Sequence, residues 1–422
     1  MWRNLKANFA DLLFSVSEAM DLADTSLADH QMRTAYISAE LARAAGLDFE
    51  QTERLTIAAL LHDIGALSPE AKIGVHGGSD QRLEPHCLRG GKLLRETSWL
   101  APAAAIVDWH HTPMKEHLDA GRSLADVDVL SAQILCLADH LEQALRRDTF
   151  ILYQADALRR VINKLAGSLV HADVVALFNQ VSANDCFWLE LVSRDLGQQL
   201  RKRNLLRSVS LDHAAARSLA CVFKDMTDFR AGFTVTHSAG VAACACGIGE
   251  VMGLVENELQ QLELAGLLHD IGKLTVPNAI FCKPAQLTSE EYAVIRQHSY
   301  CSFQILSRVR GFEKVAKWAG HHHERLDGSG YCRGIGTAGL DLGAKVLAVA
   351  DIAIAMAERR PYREPGDAPT VLKELRAMAG RGCLDTTVVA ALADNYPSIT
   401  ARVQAVQAEV ETRYRNSYAM IS

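Results

Sequence analysis

The feature that most constrains this chain is an internal repeat. GLDFEQTERLTIAALLHDIGALSP begins at Gly46, and GLVENELQQLELAGLLHDIGKLTVP begins at Gly253, 207 residues later. His30 and His237 precede these blocks at the same offset. Beyond the blocks, His86 pairs with His298, His110 and His111 with His322 and His323, and Asp139 with Asp351, all at an offset of 212. Five residues are therefore inserted in the second copy. Ten of the sixteen histidines occupy five equivalent positions in the two copies. Such a chain is expected to hold one fold twice, at residues 1–200 and 201–422.

The repeated unit reads as helical. Glu50–Leu61 and Glu256–Leu268 carry apolar residues at three- and four-residue spacings, and alternating strand patterns are scarce. None of the ten prolines lies between Pro113 and Pro277, and from Arg122 to Ala231 the only glycines are Gly167 and Gly197. A stretch so poor in breakers predicts consecutive long helices. The expected fold class is all-α. The connection LGQQLRKRNLLRSVS is basic and apolar rather than Pro- or Gly-rich, which predicts a helix joining two packed domains instead of a flexible tether.

Composition removes several classes. With 49% hydrophobic residues the chain has ample material for cores, so disorder is excluded. There is no uninterrupted apolar run of ~18 residues, so no membrane-spanning helix is expected. The stretch MWRNLKANFADLLF carries Asp11 and no small-residue cleavage site, so no secretory signal is expected either. Ten scattered cysteines without a C-x-x-C pair fit reduced thiols and a cytoplasmic location. A net charge of −6 argues against duplex nucleic acid as a partner.

The second copy offers His237, His269, Asp270, His298, His322, His323 and Asp351 as candidate metal ligands. A lone His-Asp pair is weak, but five histidines and two aspartates on helical segments are costly to bury unless paired or metal-bound. Neighbours on a helix point ~100° apart, so His322 and His323 are not expected to serve one ion from a regular helix. Two ions bridged by Asp270 would use the set. Imidazole-rich, mixed N/O ligation suits iron, manganese, cobalt, nickel or zinc and disfavours magnesium and calcium. Two such ions ~3.5–4 Å apart supply a hydroxide near neutral pH and clamp the oxygens of an in-line phosphoryl displacement. The reaction class expected is hydrolysis of a phosphate ester.

HDIGKLTVPNAIFCKPAQLTSEEY, then His298, HHERLDGSGYCRG and ADIAIAMAERRPYR together resemble the HD-GYP family of the HD superfamily, over about residues 235–385. The resemblance implies two tandem HD-type helical domains. It also implies metal-dependent hydrolysis of a cyclic dinucleotide to the linear form, with cyclic di-GMP first and cyclic GMP–AMP as the alternative. The seven residues above would hold two divalent transition-metal ions, iron or manganese ahead of zinc, cobalt and nickel, with Asp270 bridging. Asp270 and Lys273 would be catalytic. Arg325, Asp327, Gly328, Gly330 and Tyr331 form the signature loop, and Arg360 and Arg363 would reach the substrate phosphates, which the planar guanidinium binds bidentately. Signalling proteins are the partners such a domain would have. Two rival readings are a receptor that binds the dinucleotide without turnover and another nucleotide phosphohydrolase of the superfamily.

Two departures from the family pattern stand out. Cys332 replaces the proline of the motif, so the loop loses a fixed φ angle. Phe233 lies four residues before His237, where members with three metals carry a glutamate, so two metals are expected. The first copy keeps the ligand types as His30, His62, Asp63, His86, His110, His111 and Asp139, a candidate second metal site. Yet Ala66 replaces the lysine, HHTPMKEHLDAG lacks the signature loop, and LEQALRRDTF stands where the arginine pair would be. The KPAQLTSEE segment, whose Thr288 and Glu291 read as a capping box, gives way to AKIGVHGGSDQR. The first domain reads as a degenerate HD domain with a regulatory role, with a second hydrolase or a packing partner as alternatives.

Overall fold

The computed structural model describes residues 6–22, 28–66, 84–231, 233–283, 285–359 and 364–418. The first copy runs through α1 (Phe9–Asp21), α2 (His30–Ala44), α3 (Phe49–Leu61), α4 (Glu84–Arg95), α5 (Ala104–Trp109), α6 (Met114–Asp119) and α7 (Val127–Gln143). Four helices lead onward: α8 (Ile151–Asn163), α9 (Ala172–Val181), α10 (Asp185–Leu191) and α11 (Leu196–Lys202). The second copy comprises α12 (His213–Asp228), α13 (His237–Val251), α14 (Glu256–Leu268), α15 (Asn278–Phe281), α16 (Ser289–Leu306), α17 (Glu313–His321) and α18 (Leu342–Ala357). It closes with α19 (Ala368–Gly380), α20 (Thr386–Asp394) and α21 (Tyr396–Ser417). Among the described residues the sheet content is one antiparallel pair, Ala7–Asn8 with Ser210–Leu211, and an isolated bridge between Ala166 and Val170. The protein is all-α, and no described helix is long and apolar enough to cross a membrane.

The breaker-poor middle is helical but more finely divided than expected. α10 and α11 have seven residues each. Asn184 caps α10 by accepting from the Cys186 amide, and Asn204 takes a left-handed φ of 52° after α11. Asparagine and serine thus punctuate the chain where glycine and proline are missing. The connection is likewise not one helix: α11 stops at Lys202, and the chain then extends into Ser210–Leu211, which pairs with the start of the first copy.

The His-Asp pair has the same local origin in both copies. α3 starts on a capping box of Asp48 and Gln51, whereas α14 follows Val255 without a side-chain cap, and the expected box of Thr288 and Glu291 opens α16. α3 and α14 end at Leu61 and Leu268, and a tight 3₁₀ turn follows each. A Cβ on Gly65 would lie 2.0 Å from the His86 carbonyl oxygen, and one on Gly272 would lie 2.0 Å from that of His298. Only glycine lets each turn rest on the helix that carries the next histidine.

The copies share one continuous apolar core. α1 packs on α2 and α3 of its own copy and crosses to the Ile271–Thr275 turn and α16 of the other. α12 makes the reciprocal contact with α4. Phe9, Leu12, Leu13 and Val16 of α1 are buried, each adding roughly 1.5–3 kcal/mol. At its rim Thr97 and Ser218 share a hydrogen bond of 2.9 Å, and Arg308 pairs with Glu18.

Candidate metal centres

In the second domain the seven predicted residues converge. His237 on α13 and His269 at the end of α14 face Asp351 of α18: His237 Nε2 lies 3.4 Å from Asp351 Oδ1, and His269 Nε2 lies 3.9 Å from it. The same two nitrogens lie 3.8 and 3.2 Å from Asp270 Oδ2. The other oxygen, Oδ1, lies 3.4 Å from His298 Nε2 and 3.9 Å from His322 Nε2. Asp270 therefore stands between two clusters and presents one oxygen to each. His298, His322 and His323 form the second cluster, with ligand atoms within 4.8 Å of one another. His322 and His323 can share it because α17 ends at His321, so neither is bound by the ~100° step of a regular helix.

The ring nitrogens are assigned by their acceptors. His269 Nδ1 donates to Gly266 O (2.8 Å), His298 Nδ1 to Ile295 O (2.6 Å) and His322 Nδ1 to Ala319 O (2.5 Å). A carbonyl only accepts, so each Nδ1 carries the proton, and on the neutral rings of His298 and His322 the Nε2 lone pair turns inward. Burial pushes His298 down to about 4 and His322 down to about 3, which keeps them neutral. Their Nε2 atoms nevertheless face each other at 3.2 Å. Burial acts upward on Asp270, but the charges of His269 and Lys273 outweigh it and hold the carboxyl well below its usual range. His269 Nε2 and Asp270 Oδ1 are buried without a hydrogen-bond partner among the described residues. Facing lone pairs, an ionised carboxylate and orphaned buried atoms form a donor set that fits cations.

Two glutamates escaped the sequence reading. Glu358, just beyond α18, accepts from His237 Nδ1 at 2.8 Å, and Glu142 on α7 accepts from His30 Nδ1 at 2.6 Å. Such carboxylates fix the orientation of a ligating imidazole and raise its basicity. The signal available was only a carboxylate one or two turns after each repeated aspartate.

The remaining second-domain candidates divide. Lys273 Nζ lies 2.5 Å from Asp270 Oδ2, with its side chain 16% exposed at the mouth of the site. Tyr331 covers the second cluster, its ring centroid 4.7 Å from that of His323, and Arg296 stacks 5.2 Å above Tyr331. Arg325 donates to Glu324 O at 2.9 Å, and Asp327 accepts from the Ser329 amide at 3.0 Å, so both side chains build the loop. Gly328 adopts φ 77°, and a Cβ on Gly330 would lie 2.4 Å from Arg325 N. Buried Glu324, also not foreseen, ties the loop by accepting from the amides of Arg333 (2.7 Å) and Ile335 (2.8 Å). Phe233 packs near Phe281, ring centroids 6.1 Å apart. Arg360 and Arg363 lie outside the described residues.

The first domain repeats the double cluster. His30 Nε2 lies 3.2 Å from His62 Nε2, 3.4 Å from Asp139 Oδ1 and 3.6 Å from Asp63 Oδ2. His86 and His110 meet at 3.3 Å, and His111 lies 3.9 Å from Asp139 Oδ2. What differs is the ground around Asp63. Its Oδ2 accepts from the Gln31 amide at 3.2 Å, where Asp270 faces an ammonium group. The counterpart of Lys273 is Ala66, and AKIGVHGGSDQR lies outside the described residues.

Comparison with known proteins agrees with this duplication. HD domain models match residues 27–144 and 221–388. The chain is 30% identical over 391 residues, 90% of each chain, to the 3′3′-cGAMP-specific phosphodiesterase 1 of Vibrio cholerae. It is 25% identical to the 3′3′-cGAMP-specific phosphodiesterase 3 of that organism, over 84% of this chain and 87% of the other. A cyclic di-GMP phosphodiesterase of Thermotoga maritima is 36% identical over 37% of this chain and 43% of its own. In fold the chain is similar to the crystal structure of a V. cholerae cyclic GMP–AMP specific phosphodiesterase, V-cGAP3, with a TM-score of 0.63 at 22% identity over 93% of this chain and 98% of that one. HD domains are metal-dependent, and the His/Asp clusters here are of a kind that could hold metal. Two HD domains in tandem and a relative matched along almost its whole length establish that the chain belongs to the HD-GYP family of the HD superfamily.

Proposed function

We propose that the second domain is a cyclic dinucleotide phosphodiesterase that works with two divalent transition-metal ions. The carrying observation is Asp270, whose two oxygens face separate His-rich clusters at 3.2 Å (His269) and 3.4 Å (His298). His237, His269, Asp351 and Asp270 Oδ2 would hold one ion, and His298, His322, His323 and Asp270 Oδ1 the other. When bound, such a pair supplies a nucleophile near neutral pH and neutralises charge on the phosphate. Lys273 brings a fixed positive charge to the mouth of the site, where charge develops on phosphate oxygens. Tyr331 offers an aromatic face beside His323 for a base or ribose. The Phe233–Phe281 pair puts apolar rings where a third ion would need a carboxylate, which favours two ions. The N/O donor set suits iron, manganese, cobalt, nickel and zinc alike; iron and manganese are placed first on the family resemblance.

For substrate, cyclic GMP–AMP moves ahead of cyclic di-GMP. The V. cholerae relatives that match both halves of the chain carry a cGAMP-specific name, whereas the T. maritima cyclic di-GMP enzyme matches 37% of the chain. The first domain is read as regulatory. It keeps the ligand types but lacks the lysine and the signature loop, and Gln31 occupies the bridging aspartate.

The test is anaerobic purification, a metal count per chain, and parallel assays with 3′3′-cGAMP, cyclic di-GMP and cyclic di-AMP. Turnover of 3′3′-cGAMP that disappears in Asp270→Ala supports the reading. Tight binding without turnover by metal-loaded wild type would make the protein a receptor, and activity confined to linear nucleotides would make it another HD phosphohydrolase.

A further inference from the structure

Cys87 sets the first domain apart. It follows His86 on α4, and its sulfur lies 3.6 Å from His86 Nε2 and 4.0 Å from His110 Nε2, themselves 3.3 Å apart. With His111, these residues present four ligand atoms all within 4.8 Å of one another. A tetrahedral zinc site with Zn–N of ~2.0–2.1 Å and Zn–S of ~2.3 Å has N···N edges of ~3.3 Å and N···S edges of ~3.6 Å. The His86–His110 and Cys87–His86 edges are close to these, the Cys87–His110 edge is longer at 4.0 Å, and those to His111 lie within 4.8 Å.

His111 points to a ligand independently. Its side chain is 7% exposed, and neither ring nitrogen has a hydrogen-bond partner among the described residues. Leaving a buried polar group unsatisfied costs ~1–3 kcal/mol, which a metal bond would remove. His110 Nδ1 donates to Val107 O at 2.7 Å, which turns its Nε2 lone pair toward Cys87 and His86. At the position of Cys87 the second domain has Ser299, whose hydroxyl turns back to Arg296 O at 3.4 Å. One domain therefore carries a sulfur where its duplicate carries a hydroxyl engaged elsewhere.

We propose that His86, Cys87, His110 and His111 form a zinc-selective site in the first domain, with the Cys87 thiolate as fourth ligand. As the Zn–S bond forms, the thiol releases its proton to water and the sulfur lone pair goes to the ion. A thiolate with three imidazoles suits zinc better than the iron or manganese favoured by the second domain. Four protein ligands fill a tetrahedral ion and leave no open position for a nucleophile. This site secures α4 and α5 and performs no hydrolysis. The inference deepens the regulatory reading of the first domain and rests on that domain holding metal.

The test uses the full chain carrying His269→Ala with Asp270→Ala, stripped of metal and reloaded with cobalt(II) or zinc. A thiolate-to-cobalt charge-transfer band is expected in the near ultraviolet. It should persist when exposed Cys186 is changed to serine and vanish in Cys87→Ser, which should hold zinc at least ~10-fold less tightly in chelator competition. Cobalt bound without the band, or a band unchanged in Cys87→Ser, overturns Cys87 as a ligand while leaving a histidine site. A first domain that takes up no cobalt overturns both this inference and the metal-holding reading beneath it. Should Cys87→Ser fail to fold, the spectrum of the parent protein still decides.

Discussion

Asp63 and Asp270 occupy equivalent places in two copies of one fold, and their neighbours treat them differently. Asp270 faces the ammonium of Lys273 at 2.5 Å and opens to a mouth covered by Tyr331. Asp63 takes a neutral amide hydrogen bond from Gln31 at 3.2 Å and has Ala66 where the lysine would be. Both domains keep the histidine shell, and both brace its leading histidine with a glutamate. On the reading proposed above, a metal shell and a reaction are separable. The shell is set by helix ends and buried carbonyls, whereas the chemistry needs a cation and an open face beside it.

The comparison breaks most visibly at the bridging aspartates. Asp270→Ala should lower kcat/KM for the cyclic dinucleotide by ~10³-fold or more, because both proposed ions lose a ligand. Asp63→Ala should change it by less than ~10-fold, as a first domain without turnover requires. Equal losses in a steady-state assay would mean that the first domain also hydrolyses, or that the second cannot work without its metals. Lys273→Ala should cost ~10²–10³-fold, mainly in kcat, while leaving the metal count unchanged. A change confined to KM would make the lysine a binding group only.

The glutamates test what the domains share. Glu358→Gln and Glu142→Gln should each weaken metal binding in their own domain by ~10–100-fold, read by chelator competition. If only Glu358→Gln has an effect, the first shell is a relic. The smallest effect belongs to the seam. Arg308→Gln removes the pair with Glu18; the Arg308 side chain is 52% exposed, so the change should shift the chemical unfolding free energy by less than ~1 kcal/mol. A larger loss in both activity and stability would show that the domains communicate through that pair.

Much of this was legible because helices turn spacing into position. The steps from His30 to His62 and from His237 to His269 are both 32 residues, and each spans a helix, a turn and a second helix. Equal spacing therefore brings equal residues together. The two glutamates were not legible, since Glu142 lies within its helix and Glu358 beyond the end of its own. Only the packing of α7 on α2 and of α18 on α13 carries them to a ring nitrogen. His322 and His323 share a cluster because α17 ends at His321, so the step expected of a regular helix does not apply to them, and that termination is a local event that composition does not mark. Gly65 and Gly272 were visible as letters of the repeat, but their reason is a backbone carbonyl from a distant helix.

The sequence by itself determined the duplication, the all-helical class and the identity of the histidine and aspartate shell. Tertiary structure decided how that shell is divided: which oxygen of Asp270 faces which cluster, which carboxylate holds each leading histidine, and that Cys87 stands with His86, His110 and His111. Residue types and spacings specify which groups share a helix end. The direction of a lone pair is set by the acceptor opposite its ring, and that acceptor comes from another element.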